Sequence, residues 1–119
     1  MLVKKIHKRK DYVDIARRGK KLNTKNFIIQ YKKYRVGGSE SLLDKEISVG
    51  IVASRKIGNA VKRNFVKRRI RVIVGQIAEN IRSHYKIVLV GKKSILIENF
   101  QILTKEIKES LKLISIVKR

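Results

Sequence analysis

Residues 54–74 read S-R-K-I-G-N-A-V-K-R-N-F-V-K-R-R-I-R-V-I-V and decide the fold of this chain. The segment carries eight Lys or Arg residues and no acid. Gly58 suits the end of an incoming strand or turn, and Asn59 is a good N-cap because its side-chain oxygen accepts from backbone N–H groups two or three residues on. The sequence therefore predicts a helix that begins near Ala60.

The predicted helix has two unlike sides. At roughly 100° per residue, its apolar side chains fall on one face, as a helix packed on a core requires. This face holds Val66, Ile70, Ile73, Val74, Ile77 and Ile81. The opposite, neighbouring arc holds Arg63, Asn64, Lys67, Arg68 and Arg71. One side is predicted to be buried, and the cationic side is predicted to bind an anion.

The composition points to a polyanionic partner. A length of 119 residues allows a single domain over 1–119 with a modest core. The 31 basic and 9 acidic residues give a formal charge of +22, which opposes compaction unless a polyanion relieves it. Nucleic acid is the first candidate for that partner.

Other partners and compartments have less support. The chain has no Trp and only short apolar runs, so neither membrane association nor a signal peptide is predicted. The absence of Cys excludes disulfides and thiolate metal sites and fits a reducing compartment. We expect a cytoplasmic protein with no membrane partner.

The N-terminal region is predicted to be an arm followed by a short helix. Residues 1–10 hold five cations and little to bury, so a mobile basic arm is expected. A helix then opens at Asp11 or a neighbour and ends at Gly19, after two arginines. One face of this helix carries Tyr12, Ile15 and Ala16.

Three runs predict strands. Residues 25–35 and 47–53 are rich in β-branched or aromatic residues and most simply pair as an antiparallel hairpin across a polar loop. Residues 85–90 form a short buried strand after the basic helix, which makes a βαβ unit. A last amphipathic helix starts near Asn99.

These elements predict the fold class. Their order is α-β-β-α-β-α, which indicates an α+β fold of ribosomal-protein-like type. We expect a two-layer sandwich with a small, mainly antiparallel sheet of about 3–4 strands and a long basic helix inside its βαβ unit.

An enzyme that acts alone needs converging catalytic groups, and this sequence supplies few. His7 lies in the arm and His84 just before a strand, so a paired-histidine nuclease site would require the arm to fold back on the sheet. Asp11 and Asp14 share a predicted helix, where early acids ordinarily serve the helix dipole. No cluster has metal-ligand spacing, and no glycine loop binds nucleotides. We predict no catalytic residue and no metal site.

Cations with a few aromatic rings suit RNA, because cations track the backbone while rings stack on unpaired bases. The rings near the predicted hairpin are Tyr12, Phe27, Tyr31 and Tyr34. Alternate strand residues share a face, so Phe27 and Tyr31 lie on one side of the strand and Tyr34 on the other. Core packing and base stacking are both open interpretations of Phe27 and Tyr31.

Residues 54–64, followed by K-R-R-I-R at 67–71, resemble the signature of the bacterial ribonuclease P protein subunit. The similarity covers nearly the whole chain. Residues 11–19 resemble the first helix of that family, residues 26–29 its first strand, and residues 50–54 the strand that leads into the basic helix.

This resemblance implies an accessory role to a catalytic RNA that removes the 5′ leader from precursor tRNA. The RNA would hold magnesium ions and perform the cleavage. The protein would then be one component of an endoribonuclease, inactive alone and with no tightly bound cofactor. Its implied partners are the catalytic RNA subunit and precursor tRNA, with no protein partner.

The resemblance also implies two sets of binding residues. The set that would contact the RNA subunit is Arg55, Lys56, Asn59, Arg63, Asn64, Lys67, Arg68 and Arg71. A cleft formed by the first helix and the sheet face would take the single-stranded leader. The set for this cleft is Tyr12, Phe27, Tyr31, Ser54 and Lys92.

Three positions depart from the family pattern. An Arg-Asn-Arg triplet of the family stands here as R-N-F at 63–65. Phe65 has two interpretations, stacking on a base or covering an apolar patch near Val61 and Val72. The other departures are Ala16, where a second aromatic is usual, and Gly91, where an Arg is common.

Two classes of function are compatible with these features. The first is the ribonuclease P subunit. The second is a structural RNA-binding protein, for example of the ribosome, which charge and size alone allow equally well. A free-standing nuclease is a distant third. Cleavage of precursor tRNA by the protein with and without a catalytic RNA separates the three.

Overall fold

The computed structural model describes residues 2–33, 46–77, 80–81 and 84–114. Within them lie five strands and three α-helices. In chain order they are β1 Leu2–Lys5, α1 Arg9–Arg18, β2 Lys20–Asn23, β3 Phe27–Lys33, β4 Glu46–Ala53, α2 Ala60–Ile77, β5 Tyr85–Gly91 and α3 Phe100–Leu113. Short 3-10 segments at Arg55–Ile57 and Lys93–Leu96 follow β4 and β5.

All five strands form one sheet in the order β1-β4-β5-β3-β2. Strands β4 and β5 are parallel and are joined through α2, so the predicted βαβ unit is confirmed. Strand β3 runs antiparallel on the other side of β5. The α+β class is confirmed, although the four strand pairs divide evenly between parallel and antiparallel.

The predicted hairpin between the strands at 25–35 and 47–53 is wrong. Strand β5 lies between β3 and β4 and pairs with both. Its consecutive residues Ile87, Val88 and Leu89 are all buried, and such a run belongs in the centre of a sheet covered on both faces. The residues that join β3 to β4, at 34–45, lie outside the described residues, and they include the last two residues of the first predicted strand.

Residues 2–6, predicted to be part of a mobile arm, are instead held against the sheet. Leu2–Lys5 pairs in parallel with the start of β4, and the Ile6 backbone N–H donates to the Val49 carbonyl at 3.1 Å. The Ile6 side chain is buried. Strand β4 would otherwise present unpaired backbone groups at the sheet edge, and β1 supplies their partners. Strand β2 lies on the opposite edge. With these two short edge strands the sheet has five strands, where about 3–4 were predicted.

Helices cover both faces of the sheet. Residues of α2 and α3 share one hydrophobic cluster with Phe27, Ile29, Ile87 and Leu89. Ile15 of α1 packs with Val88, whose side chain points to the opposite face because strand residues alternate. Helix α1 therefore covers part of the face opposite α2 and α3, a feature that the predicted two-layer sandwich did not include.

The helix boundaries follow the predicted signals. Helix α2 begins at Ala60, and the Asn59 Oδ1 atom accepts from the Lys62 backbone N–H at 3.0 Å. Helix α1 ends before Gly19, whose φ of −81° is open to any residue. Glycine is required there for space instead, because a Cβ would lie 2.5 Å from the Ile15 carbonyl oxygen and 2.6 Å from that of Tyr31.

Candidate nucleic-acid interface

Helix α2 turns its apolar face to the sheet and its cations outward. Its buried residues are Val66, Ile70, Ile73, Val74 and Ile77, as the periodicity predicts. Ile81, beyond the helix end, is buried in the same cluster. This packing fixes the rotation of the helix, so the opposite arc is exposed to solvent.

The residues predicted to contact an RNA subunit lie on that arc or at the helix entrance. Those with exposed side chains are Arg55, Lys56, Asn59, Asn64, Arg68 and Arg71. Arg63 and Lys67 are half-buried. The Nε donor of Arg63 is buried and has no hydrogen-bond partner among the described residues. An unsatisfied donor costs free energy that an incoming acceptor can recover.

Several acids of the described chain have partners outside α2. On the α1 side, Asp14 accepts from Lys32 Nζ at 2.6 Å, and this bond lowers the pKa of Asp14. Beside α3, hydrogen bonds from Asn26 and Lys25 lower the pKa of Glu98. Across residues 2–33, 46–77, 80–81 and 84–114, no ion pair joins a carboxylate to a cation of α2. The cationic charge of this helix is left for an external anion.

Phe27 and Tyr31, predicted to line a leader cleft, lie on the other side of the sheet from α1. Phe27 has no exposed surface and is part of the cluster under α2 and α3, so its assignment to the cleft is wrong. Tyr31 is half-buried against the same cluster. Strand alternation correctly grouped these two rings, but their shared face is the one that α2 and α3 cover.

Tyr12 is the predicted cleft residue that lies on the α1 side. Its Oη donates to the Ile6 carbonyl at 3.0 Å, and burial raises its pKa. The ring lies directly over Gly50, where a Cβ would be 2.6 Å from the Tyr12 Cε1 atom. Glycine at position 50 therefore makes room for the Tyr12 ring on the sheet.

Sequence reasoning missed the apolar residues that share this face with Tyr12. Val52 and Val90 are half-buried and pack, as Tyr12 does, against the small cluster that contains Ile15. Ile28 is the cross-strand neighbour of Val90 and is also half-buried. Strand alternation could have identified these three residues, because each is offset by one position from residues that line the larger core. The position of α1 was also needed, because it shows that their face of the sheet is only partly covered.

Ser54 and Lys92, the last two predicted cleft residues, follow the ends of β4 and β5. Ser54 is exposed and makes no capping bond to the 3-10 segment after it. Lys92 Nζ donates to the side-chain oxygen of Asn23 and, at 2.6 Å, to the carbonyl oxygen of Thr24. Lys92 thus ties β5 to the turn between β2 and β3.

A groove of about 350 Å³ opens between α2 and the edge of β4. It is lined by Lys5, Tyr12, Val49, Ile51, Lys67, Arg71 and Val74. Strand β1 pairs with β4 only as far as Val49, and the Tyr12 ring lies over the next residue of β4, Gly50. The groove brings Lys67 and Arg71 of the predicted RNA contacts beside Tyr12 of the predicted leader contacts.

Two further findings concern other kinds of site. Among the residues that the structure describes, no group of three or more His, Cys, Asp or Glu side chains is arranged to hold a metal ion. In the same part of the chain, no helix is both long and apolar enough to span a bilayer.

A long helix with cations on its exposed arc, carried on an α+β sheet, is typical of small nucleic-acid-binding proteins. The sequence profile of the family described as Ribonuclease P matches residues 3–115. The Ribonuclease P protein component of Streptococcus agalactiae serotype III (strain NEM316) is 33% identical over 109 residues, 91% of this chain and 91% of that protein. The chain belongs to the ribonuclease P protein family and acts in the processing of tRNA 5′ leaders.

Solved structures agree with this fold. The chain is similar to the RNase P protein of Staphylococcus aureus with a TM-score of 0.78 and 22% identity, over 96% of this chain and 97% of that one. It is similar to the RNase P protein from Thermotoga maritima with a TM-score of 0.76 and 25% identity, over 92% of this chain and 96% of that one.

Proposed function

We propose that this chain serves ribonuclease P as an RNA-binding subunit that performs none of the bond-breaking chemistry itself. The observation that carries the proposal is the outer arc of α2, whose cations have no carboxylate partner among the described residues. Charged groups of one sign, gathered on one face, attract a polyanion and fix its position on the protein.

Cleavage is assigned to a catalytic RNA, with the required magnesium ions held mainly by that RNA. Support for this assignment comes from ligand chemistry, because RNA phosphates supply in abundance the oxygen ligands that suit magnesium. We place this activity in the cytoplasm, with precursor tRNA as the substrate.

The RNA subunit is assigned to the α2 surface, defined by Arg55, Lys56, Asn59, Arg63, Asn64, Lys67, Arg68 and Arg71. Asn59 contributes through its amide N–H groups, because its oxygen already caps the helix. Lys67 and Arg71 also reach the groove beside Tyr12, so an RNA on this surface lies close to that ring.

The 5′ leader is assigned to the α1 side of the sheet. Tyr12 supplies the ring, while Ile28, Val52 and Val90 supply a half-buried apolar surface on the same face. An unpaired base gains from contact with such a surface while its phosphates stay in solvent near cations. Ser54 and Lys92 lie at the strand ends beside this face, and Phe27 and Tyr31 have no part in it.

The test is cleavage of precursor tRNA at low magnesium concentration, with protein alone, with a bacterial ribonuclease P RNA alone, and with both. We expect cleavage with both and none with the protein alone. Efficient metal-dependent cleavage by the RNA-free protein would overturn the proposal. A protein that binds this RNA without increasing cleavage would favour the structural RNA-binding alternative.

A matched pair of variants tests the α2 surface in the same assay. Replacing Arg63, Arg68 and Arg71 by Ala should abolish stimulation by the protein. The control variant removes the same charge from another helix, α3, by replacing Lys105, Lys108 and Lys112 with Ala. This variant should keep most of the stimulation of cleavage. Equal losses in both variants would mean that net charge, rather than the α2 surface, is responsible.

A further inference from the structure

Phe65 is an exposed aromatic ring in the middle of the cationic surface. The residue is 38% exposed and belongs to neither hydrophobic cluster of the described chain. Residues three and four positions away are its neighbours on the helix, and these include Lys62, Arg68 and Arg69. A Phe in this setting does not contribute to the core.

Arg69 holds one side of this ring. Its guanidinium carbon lies 4.7 Å from the centre of the Phe65 ring, within the range of a cation–π contact. Its Nη1 donates to the Glu98 carbonyl oxygen at 2.7 Å, so the guanidinium is anchored to the segment before α3. The ring is therefore held in place by a fixed cation, and its exposed surface points away from the core.

A ring of this kind favours a nucleobase over an apolar protein partner. Val61 and Val72 extend the apolar stripe along the helix, but cations flank it and α2 contains no acid. A protein partner would need an apolar patch ringed by carboxylates. Single-stranded RNA supplies phosphates for the cations and a π-face for the ring in one repeating unit.

We propose that Phe65, braced by Arg69, is a stacking platform for an unpaired base of RNA on the α2 surface. This inference rests on the proposed function and adds to it a preference for unpaired over paired nucleotides at this point. The base comes either from the single-stranded leader or from an unpaired segment of the RNA subunit, and both present the same chemistry.

The absence of tryptophan makes a direct test possible. The chain contains no Trp, so Phe65→Trp places a single indole at the platform. Val72→Trp is the matched control, because Val72 lies two turns further along the same exposed stripe and is 48% exposed. Indole emission of each full-length variant is followed during titration with a single-stranded leader RNA, with its duplex, and with a ribonuclease P RNA.

Stacking predicts that emission of Phe65→Trp is quenched by unpaired RNA and little changed by the duplex, while Val72→Trp responds weakly to all. The ligand that quenches identifies the source of the base. Phe65→Leu should lower affinity for that RNA by about tenfold with an unchanged salt dependence, because a stacked base is lost and no phosphate contact is.

Three results would overturn the inference. Equal quenching in the two Trp variants would mean that RNA merely covers the stripe. Unchanged Phe65→Trp emission, while anisotropy of labelled RNA shows binding, would remove the platform and leave the proposed function intact. A wild-type protein that binds none of these RNAs would defeat the proposed function and the platform together.

Discussion

The two faces of the sheet are held in different ways. Among the described residues, seventeen buried apolar residues form the cluster under α2 and α3, whereas three form the cluster under α1. The α1 side adds ion pairs from Asp14 to Lys32 at 2.6 Å and from Asp11 to Lys86 at 3.9 Å. Helices α2 and α3 are held on one face by apolar packing, whereas α1 is held on the other face partly by ion pairs.

This difference separates stability from binding. The packed face fixes α2, so its outer cations are presented on a rigid support, which a binding surface requires. The α1 face has fewer buried groups and leaves Tyr12, Val52 and Val90 only half-buried. Substitutions on the packed face should therefore act on folding, and substitutions on the α1 face or on the outer arc of α2 should act mainly on RNA.

The largest expected effect is that of Phe27→Ala. Phe27 is fully buried in the packed face, and removing such a side chain typically costs about 3–5 kcal/mol of unfolding free energy. Denaturant unfolding measures the loss. Ile97→Ala is the control, since Ile97 is 91% exposed and should change stability by no more than about 0.5 kcal/mol. A stable Phe27→Ala protein with selectively weakened leader binding would reverse the assignment of the two faces.

Three glycine substitutions compare the faces directly. A Cβ at Gly91 would lie 2.7 Å from Val66 Cγ1 in the packed core, so Gly91→Ala should cost about 1–3 kcal/mol through overpacking. A Cβ at Gly50 would meet the Tyr12 ring, which can swing toward solvent, so Gly50→Ala should cost less. Gly75→Ala meets nothing within 4 Å and should stabilise α2 by about 1 kcal/mol.

Urea unfolding of the three glycine variants gives this ranking in one experiment. If Gly50→Ala proved as costly as Gly91→Ala, the α1 face would be as tightly packed as the other. If Gly75→Ala were destabilising, a contact at the outer arc of α2 would have to exist in the free protein.

Arg68→Ala tests the outer arc of α2 itself. Losing one phosphate contact should weaken RNA binding by about tenfold and lower the salt slope by about 0.7–0.9 log units per log of salt. Lys108→Ala is the control, because it removes one exposed cation from α3. Fluorescence anisotropy over a salt series measures both quantities. Equal slopes for Arg68→Ala and the wild type would mean that Arg68 stays solvated in the complex.

Sequence periodicity predicted the elements well but could not predict how they pair. Helix α2, its cap at Asn59 and the βαβ unit depend on local signals, and all three are confirmed. Strands β1 and β2 were missed because they are short, lysine-rich edge strands stabilised by a neighbour rather than by their own apolar pattern. The central position of β5 depends on contacts distant in sequence, which local patterns do not encode.

The same limit explains the partial prediction of the site. The placement of the α2 cations opposite the buried face is confirmed, because one helix determines which of its residues face away from its own apolar side; their contact with RNA stays a prediction. The cleft residues required more, since alternation in β3 groups Phe27 with Tyr31 but does not tell which helix covers that group. Ile28, Val52 and Val90, which we propose for the cleft, were therefore overlooked, although they occupy the complementary positions on the α1 side.

The smallest expected effect tests whether charge helps to hold α1. The hydrogen bond from Lys32, aided by the charges of Arg18 and Lys86, holds the pKa of Asp14 below its usual 3.8. Since the folded-state pKa is the lower one, the pair stabilises the fold above about pH 3.8, and this contribution disappears as the pH falls through the folded pKa. The difference in unfolding free energy between wild type and Asp14→Asn should be steady near neutral pH and vanish in acid, as urea titrations at a series of pH values measure. This difference should be small because the pair is partly solvated. In a Lys32→Met background, its pH dependence should shrink. A difference that persists in strong acid would mean that packing, not charge, holds this face.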